Sequence, residues 1–148
     1  MSETRQLCTF YLQDFFFGVD VMEVQEVIRA QETTQVPLAS PGVSGLINLR
    51  GQIVTALDLR TQLGLPPRGR GEIPMNVVVR TPEGPVSLLV DRIGDVIEVT
   101  SDQFAPLPET VDDRMREVLD GVYKIKDRLL LALKTAVVTQ VGVSEARV

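Results

Sequence analysis

Residues 41–60 read PGVSGLINLRGQIVTALDLR, and this stretch indicates the local fold more sharply than any other part of the chain. Short apolar runs lie on either side of Arg50-Gly51, at Leu46-Ile47 and at Ile53-Val54, and they are too short for helices and rich in branched side chains. Glycine tolerates the backbone angles that a tight bend requires. We therefore expect two strands that meet at Arg50-Gly51, with Gly45 and Gly51 shaping the backbone.

Beyond the bend, side chains of opposite character alternate, as they do on a strand with one buried face. The apolar face carries Ile53, Leu57 and Leu59, and the polar face carries Gln52, Asp58 and Arg60. This alternation predicts a half-buried strand that continues to Arg60. It does not explain Arg50, a long cation held at a bend between apolar neighbours.

The rest of the chain also favours short strands. It has 148 residues, of which 44% are hydrophobic and only 5% aromatic, so the core must come from Val, Leu and Ile, which favour strands. Many short strands separated by turns predict an all-β barrel or sandwich. Short helical turns are expected within Met22–Ile28, before a strand, and within Thr110–Asp120, where Thr110 would cap a helix that Gly121 ends.

One clear break divides the chain. Residues 64–71 contain two prolines and three glycines and cannot continue a strand. We place the boundary between two halves of the chain here, with residues 1–66 in the first half and 67–148 in the second. Arg68 and Arg70 within the break are interpreted as a solvated linker in preference to a small anion-binding loop, because two isolated charges make no patch.

Several kinds of chemistry are disfavoured by composition. The chain has no His and a single Cys, which removes imidazole metal sites, thiolate zinc sites and the usual nucleophile triads. Cys8 lies in an apolar strand, where an inert core thiol is expected. Asp58, Asp91 and Asp95 could in principle supply a pair of acids for hydrolysis, but they fall at predicted strand ends, where a solvated or turn-capping role is expected. We predict no catalytic residue, no metal and no cofactor.

The cellular setting follows from charge and hydropathy. A net charge of −5 argues against a non-specific nucleic-acid binder. A single cysteine and the lack of a signal peptide favour the cytoplasm. No apolar run approaches the length needed to span a bilayer, so direct membrane contact is not expected.

The order and spacing of several motifs resemble the CheW family, the coupling proteins of bacterial chemosensory arrays. The resemblance runs from about Cys8 to Leu133. The matching segments are Phe17-Gly18-Val19-Asp20, Val24 to Ile28, Gly45 to Gly51, Ile53-Val54, Leu57 to Arg60, Leu89-Val90-Asp91, Val96-Ile97, Gly121-Val122-Tyr123 and Leu129 to Leu133. This resemblance implies two small SH3-like β-barrels packed side by side, a first β-barrel subdomain at residues 1–66 and a second at 67–148 whose C-terminal segment can pack back on the first.

The resemblance also implies a function and two sets of site residues. Members of the family are non-enzymatic adaptors of two-component signalling that hold the cytoplasmic tips of chemoreceptors and the histidine kinase CheA in one array. Positions matching those that meet the regulatory domain of the kinase are Cys8, Val19 and Met22. Positions matching the receptor groove between the barrels are Val24, Glu26, Arg50 and Val96.

Two other functions remain open from the residues alone. A small-barrel nucleic-acid-binding module is possible, because SH3-like folds host many functions, although the acidic balance and the few aromatics disfavour it. A carboxylate hydrolase would need a deep pocket that holds a perturbed pair of acids.

Overall fold

Strands dominate the protein, and they form two antiparallel-rich sheets. The computed structural model describes residues 3–29, 33–34, 43–69, 71–109, 111–126 and 128–139. Sheet 1 has the strand order β8-β1-β2-β11-β10-β9, and sheet 2 has the order β3-β6-β7-β5-β4. The strands of sheet 1 are β1 (Thr4–Leu12), β2 (Phe15–Asp20), β8 (Arg92–Thr100), β9 (Phe104–Ala105), β10 (Leu119–Ile125) and β11 (Arg128–Leu133). The strands of sheet 2 are β3 (Val24–Ile28), β4 (Val43–Leu49), β5 (Gln52–Asp58), β6 (Met75–Thr81) and β7 (Gly84–Val90).

Short helical elements connect the strands. Two are 3₁₀ turns, at Val21–Glu23 and Ser101–Gln103, and two are short helices, α1 (Leu59–Gln62) and α2 (Asp113–Val118). Residues 135–139 are helical as well. The predicted helical turn that leads into a strand after Met22 is confirmed by the first 3₁₀ turn and β3.

Three hydrophobic clusters explain why the two sheets form two bodies. One cluster is built from sheet 1 alone and includes Leu7, Phe16 and Leu130. A second is built from sheet 2 alone and includes Ile47 and Val54. Each sheet therefore curls around its own core, as the predicted all-β architecture of two small barrels requires.

The third and largest cluster lies between the sheets. It draws Phe10, Phe17 and Leu131 from sheet 1, and Leu57, Val77 and Leu88 from sheet 2. All six side chains are less than one-tenth exposed. Burial of this shared apolar surface holds the two sheets face to face.

The sheets do not follow the predicted division of the chain at residue 66. Strands β1 and β2 join β8 to β11 in sheet 1, whereas β3 to β7 make up sheet 2. Two parallel pairings make this possible, β2 with β11 and β5 with β7. A boundary between residues 66 and 67 would cut both sheets. The sequence does not show this, because the pattern of turns along the chain carries no information about which distant strands pair.

The predicted strand through Arg60 is wrong at both of its ends. Ile53 was assigned to the buried face but is 62% exposed, and Leu59 and Arg60 belong to helix α1. The Asp58 side chain caps this helix by accepting a hydrogen bond from the Arg60 N–H at 3.0 Å. Because the backbone turns helical there, Arg60 points inward and is only 7% exposed.

The helix predicted within Thr110–Asp120 exists but begins and ends elsewhere. Asp112 caps α2 by accepting a hydrogen bond from the Met115 N–H at 2.8 Å, and the helix ends at Val118. Gly121 lies inside β10 rather than at the helix end. Its missing side chain leaves room for the Phe104 ring, which an added Cβ would meet at 2.4 Å. Thr110 and Arg70 lie outside the described residues.

Candidate functional site

An ion pair connects two of the residues that the family resemblance singles out. The Arg50 guanidinium donates from Nη1 to Glu26 Oε1 at 3.0 Å and makes a shorter contact from Nη2 to the same oxygen. Glu26 lies on β3 and Arg50 follows β4, and these are the two edge strands of sheet 2. The pair therefore bridges the seam where this sheet curls round. The Arg50 side chain remains 66% exposed, so it is oriented by Glu26 and still open to a partner.

The bend that presents Arg50 is a two-residue turn between β4 and β5, as predicted. Leu49 pairs with Gln52 across it. Arg50 has a φ of +53° and Gly51 a φ of +86°, the combination typical of type I′ hairpin turns. The Asn48 side chain accepts a hydrogen bond from the Gly51 N–H at 2.8 Å. A positive φ is costly for arginine, because its Cβ crowds the backbone, so the turn holds this cation at some expense.

Gly45 allows a close approach between backbones. Residues Thr34 and Leu46 exchange two backbone hydrogen bonds of 2.8 Å, which form an isolated bridge beside β4. A Cβ at Gly45 would lie 2.4 Å from the Thr34 carbonyl oxygen. The absence of a side chain at Gly45 therefore lets the backbone at Thr34 lie against β4. A Cβ at Gly51 would meet nothing within 4 Å, so glycine is favoured there only by the positive φ.

Met22 lies in an ordered turn between the two sheets with its side chain in solvent. The Asp20 carboxylate accepts a hydrogen bond from the Met22 N–H at 2.9 Å, and Arg80 Nη1 donates to the Met22 carbonyl oxygen at 3.2 Å. The residue is nevertheless 80% exposed. A thioether held on a rigid backbone and open to solvent is well suited to a protein contact, since its flexible side chain adapts to a partner.

Two of the three predicted kinase-contact residues have buried side chains. Cys8 is 6% exposed and Val19 is fully buried, and both belong to the cluster between the sheets. They are register partners on β1 and β2 and point inward together. Burial raises the pKa of the Cys8 thiol, as expected for an inert core cysteine. Their side chains do not present a surface to a partner.

The two remaining predicted receptor contacts differ in exposure. Val24 is partly buried and packs against the cluster between the sheets. Val96 is 57% exposed on β8, at an edge of sheet 1. The structure thus brings Glu26 and Arg50 into contact, with Val24 two residues from Glu26 on the same strand, whereas Val96 belongs to the other sheet.

The candidate acids do not form a catalytic pair. The Asp91 carboxylate accepts hydrogen bonds from Arg60 Nε at 3.0 Å and from Arg68 Nε at 2.9 Å, and Arg68 also donates to Asp58 at 3.2 Å. Asp95 lies within β8 rather than at a strand end. Burial alone would raise the pKa of Asp91, but hydrogen bonds from Arg60, the Gln13 N–H and Arg68 outweigh it and lower the pKa to about 2. Such an acid stays ionised and cannot donate a proton near neutral pH.

This cluster also corrects the interpretation of the linker. Arg68 is not a solvated linker residue, because its side chain is only 10% exposed and is paired with two carboxylates. Sequence reasoning missed the cluster because Asp91 lies far along the chain from the other three members, and only the folded backbone brings it to them. The spacing of Arg60 and Asp91, 31 residues, carries no local signal.

Two further features of the described residues bear on function. No helix among them is long and apolar enough to cross a membrane. Within the same ranges, no group of three or more His, Cys, Asp or Glu side chains is placed to hold a metal ion.

Comparisons with known proteins agree with this architecture. The CheW-like domain family matches residues 6–141. A probable chemotaxis protein CheW from Rhizobium etli is 30% identical over 142 residues, which cover 96% of this chain and 92% of the relative. The chemotaxis protein CheW from Thermotoga maritima is 29% identical over 128 residues, covering 86% of this chain and 83% of that protein.

A solved structure gives the same fold. The crystal structure of the scaffolding protein TtCheW from Thermoanaerobacter tengcongensis superposes with a TM-score of 0.82 at 26% sequence identity, covering 97% of each chain. The fold class of two SH3-like barrels is therefore confirmed. The family match over nearly the whole chain, supported by this structure, shows that the protein belongs to the CheW family of non-enzymatic chemotaxis scaffold proteins.

Proposed function

We propose that the protein couples a chemoreceptor to the histidine kinase CheA through two separate surfaces on one rigid body. The kinase-binding surface is centred on Met22 and would meet the regulatory domain of the kinase. The receptor-binding surface is centred on the Arg50–Glu26 pair, includes Val24 and Val96, and would meet the cytoplasmic tip of the receptor. With these two partners the protein would act in the cytoplasm. The proposal includes no direct contact with the membrane and no nucleic-acid partner.

The observation that carries the proposal is the exposure of Arg50 and Met22 on ordered backbones. Each residue lies in a turn whose backbone is held by hydrogen bonds, to Asn48 in one case and to Asp20 and Arg80 in the other. Their side chains are 66% and 80% exposed. Because the backbone of each turn is already ordered, binding has to fix only the rotamers of these two side chains and not the turn itself, which lowers the entropic cost of the contact.

The chemistry of each surface fits its proposed partner. A guanidinium already oriented by Glu26 can offer its remaining N–H groups to carboxylates or backbone carbonyls of a polar helical hairpin. An exposed methionine fits an apolar depression on another small barrel. Two surfaces on one body also give avidity, because the second contact forms at a high effective concentration.

A bridging experiment tests the proposal. The cytoplasmic-tip fragment of a chemoreceptor from the same cell is immobilised, and retention of the kinase regulatory domain is measured with and without the protein. We expect retention only when the protein is present and at ratios that indicate a ternary complex. Competition between the two partners, or binding of neither, would reject the two-surface proposal.

A further inference from the structure

Asp91 lies where the chain passes from one sheet to the other. It is the single residue between β7 of sheet 2 and β8 of sheet 1. Its own N–H donates to the Tyr11 carbonyl oxygen at 3.0 Å, which ties it to β1. Its carboxylate accepts a hydrogen bond of 2.8 Å from the Gln13 N–H, in the turn between β1 and β2. Both of these contacts are with sheet 1.

The same carboxylate also binds the other side of the molecule. Arg60, on helix α1 directly after β5 of sheet 2, donates from Nε to both Asp91 oxygens at 3.0 and 3.1 Å. Arg60 Nη1 in turn donates to the carbonyl oxygens of Pro66 and Pro67, at 3.2 Å each. Arg68, in the linker, donates to Asp91 at 2.9 Å and reaches Asp58 at the end of β5.

The cluster of Asp58, Arg60, Arg68 and Asp91 pairs two cations with two carboxylates and is largely removed from water, and the more exposed Glu72 lies 3.6 Å from Arg60 at its edge. The side chains of Arg60, Arg68 and Asp91 are 9%, 10% and 11% exposed, and that of Asp58 is 23% exposed. Charged groups at this depth are stable only with well-placed partners, so the geometry of the cluster is demanding. Paired arginine–carboxylate contacts are directional, unlike the apolar packing that also holds the sheets together.

We propose that Asp91 is a positioning residue that sets the relative orientation of sheet 1 and sheet 2, and thereby the shape of the receptor-binding surface. The link to the receptor rests on the proposed function, since that surface takes Glu26 and Arg50 from sheet 2 and Val96 from sheet 1. The apolar cluster between the sheets supplies most of the attraction. The Asp91 contacts select one orientation among those that apolar packing allows.

The orientation is measured by the distance between two spin labels, one on each sheet. Lys124 on β10 and Glu83 in the turn between β6 and β7 are exposed and do not belong to the proposed receptor-binding surface, so both are replaced by labelled cysteines in a Cys8→Ala background. The parent should give one narrow distance distribution. Asp91→Asn keeps the shape of the side chain but removes its charge, and we expect a broader or shifted distribution together with faster exchange of the Gln13 amide.

Two variants make the measurement decisive. Asp95→Asn removes the same charge four residues away, from an exposed carboxylate that makes no hydrogen bond or ion pair within the described ranges, and it should leave the distribution unchanged. Arg68→Gln removes the contacts of Arg68 with Asp91 and Asp58 but leaves Arg60 on Asp91, and it decides the matter if Asp91→Asn fails to fold. A parental distribution in the folded variant, even with lowered stability, would show that the cluster stabilises without positioning and would overturn the proposal.

Receptor affinity is measured on the same variants. We expect Asp91→Asn to weaken receptor-tip binding by about fivefold or more, the scale of couplings between distant sites. An altered distance distribution with unchanged receptor affinity would overturn the link to the receptor surface. Arg50→Ala separates this proposal from the proposed function: if it leaves receptor affinity unchanged, the proposed receptor surface fails while the distance measurement still tests the orientation.

Discussion

The Arg50 guanidinium and the Glu26 carboxylate form an exposed ion pair across the two edge strands of sheet 2, with Nη1 and Oε1 3.0 Å apart. Exposed pairs of this kind contribute about 0.2–1 kcal/mol to stability. The hairpin turn nevertheless holds Arg50 at a positive φ, which is unfavourable for a residue with a side chain. Gln13 and Lys126 adopt a similar φ in two other turns, so the angle belongs to the hairpin, and it is the 66% exposure of the Arg50 side chain that favours a role in binding.

Replacement of Arg50 should therefore separate binding from stability. We expect Arg50→Ala to change the free energy of unfolding by less than about 1 kcal/mol and to weaken receptor-tip binding by about 2 kcal/mol. Kinase binding should be retained, because Met22 lies in a different turn. Lys124→Ala, which removes another exposed cation, serves as the control. Calorimetric titration of each partner checks the result, and equal losses of both affinities in folded protein would reject two separate surfaces.

Met22 and Val19 give opposite expectations for the same substitution. Met22 is 80% exposed, so Met22→Glu should fold normally and weaken binding of the kinase regulatory domain by about 2 kcal/mol or more. Val19 is fully buried, so Val19→Glu would place an unpaired carboxylate in the cluster between the sheets and should prevent folding. Circular dichroism and titration with the kinase domain distinguish these effects. Unfolding of Met22→Glu would place Met22 in the core and remove it from the proposed surface.

The elements predictable from sequence were those encoded by neighbouring residues. The hairpin at Arg50-Gly51 and the helical turn at Met22 each depend on a few adjacent side chains, and the structure contains both. The exposure of Met22 could be anticipated from its place beside a predicted turn. Family resemblance supplied Glu26 and Arg50, although nothing in the sequence showed that they contact each other.

What the sequence concealed depends on distant pairing. Parallel pairing of β2 with β11 and of β5 with β7 assigns strands to sheets without regard to the break at residues 64–71. Arg60 was predicted on the polar face because side chains of a strand alternate every two residues. The helical turn after Asp58 changes this repeat to nearly four residues and directs the Arg60 side chain inward. The burial of Cys8 and Val19 follows from the packing of one sheet on the other, which strand alternation alone does not reveal.

Gly45 and Gly51 should respond differently to the same methyl group. In Gly51→Ala the new Cβ would meet no atom within 4 Å, but the alanine would have to adopt a φ of +86°. We therefore expect the free energy of unfolding to fall by about 1–2 kcal/mol. Gly45→Ala would place its Cβ 2.4 Å from the Thr34 carbonyl oxygen and should cost more, because the backbone bridge to Leu46 must separate. Urea denaturation gives both values. A smaller loss at Gly45 than at Gly51 would contradict the importance of this close approach.

Asp91 should make stability depend on pH in acid. Its pKa falls from 3.8 to about 2 in the folded protein, because the hydrogen bonds from Arg60, the Gln13 N–H and Arg68 outweigh the opposing effect of burial. Because the pKa of Asp91 is lower in the folded protein than in the unfolded protein, the ionised carboxylate stabilises the folded state. This contribution, on the order of 2 kcal/mol, is fully present above about pH 4 and is lost as the pH falls to about 2. We expect the difference in unfolding free energy between the parent and Asp91→Asn to be constant near neutral pH and to shrink over this range. Urea denaturation of both proteins between pH 2 and pH 6 measures it, and a difference that does not change with pH would show that the charge of Asp91 contributes nothing to stability.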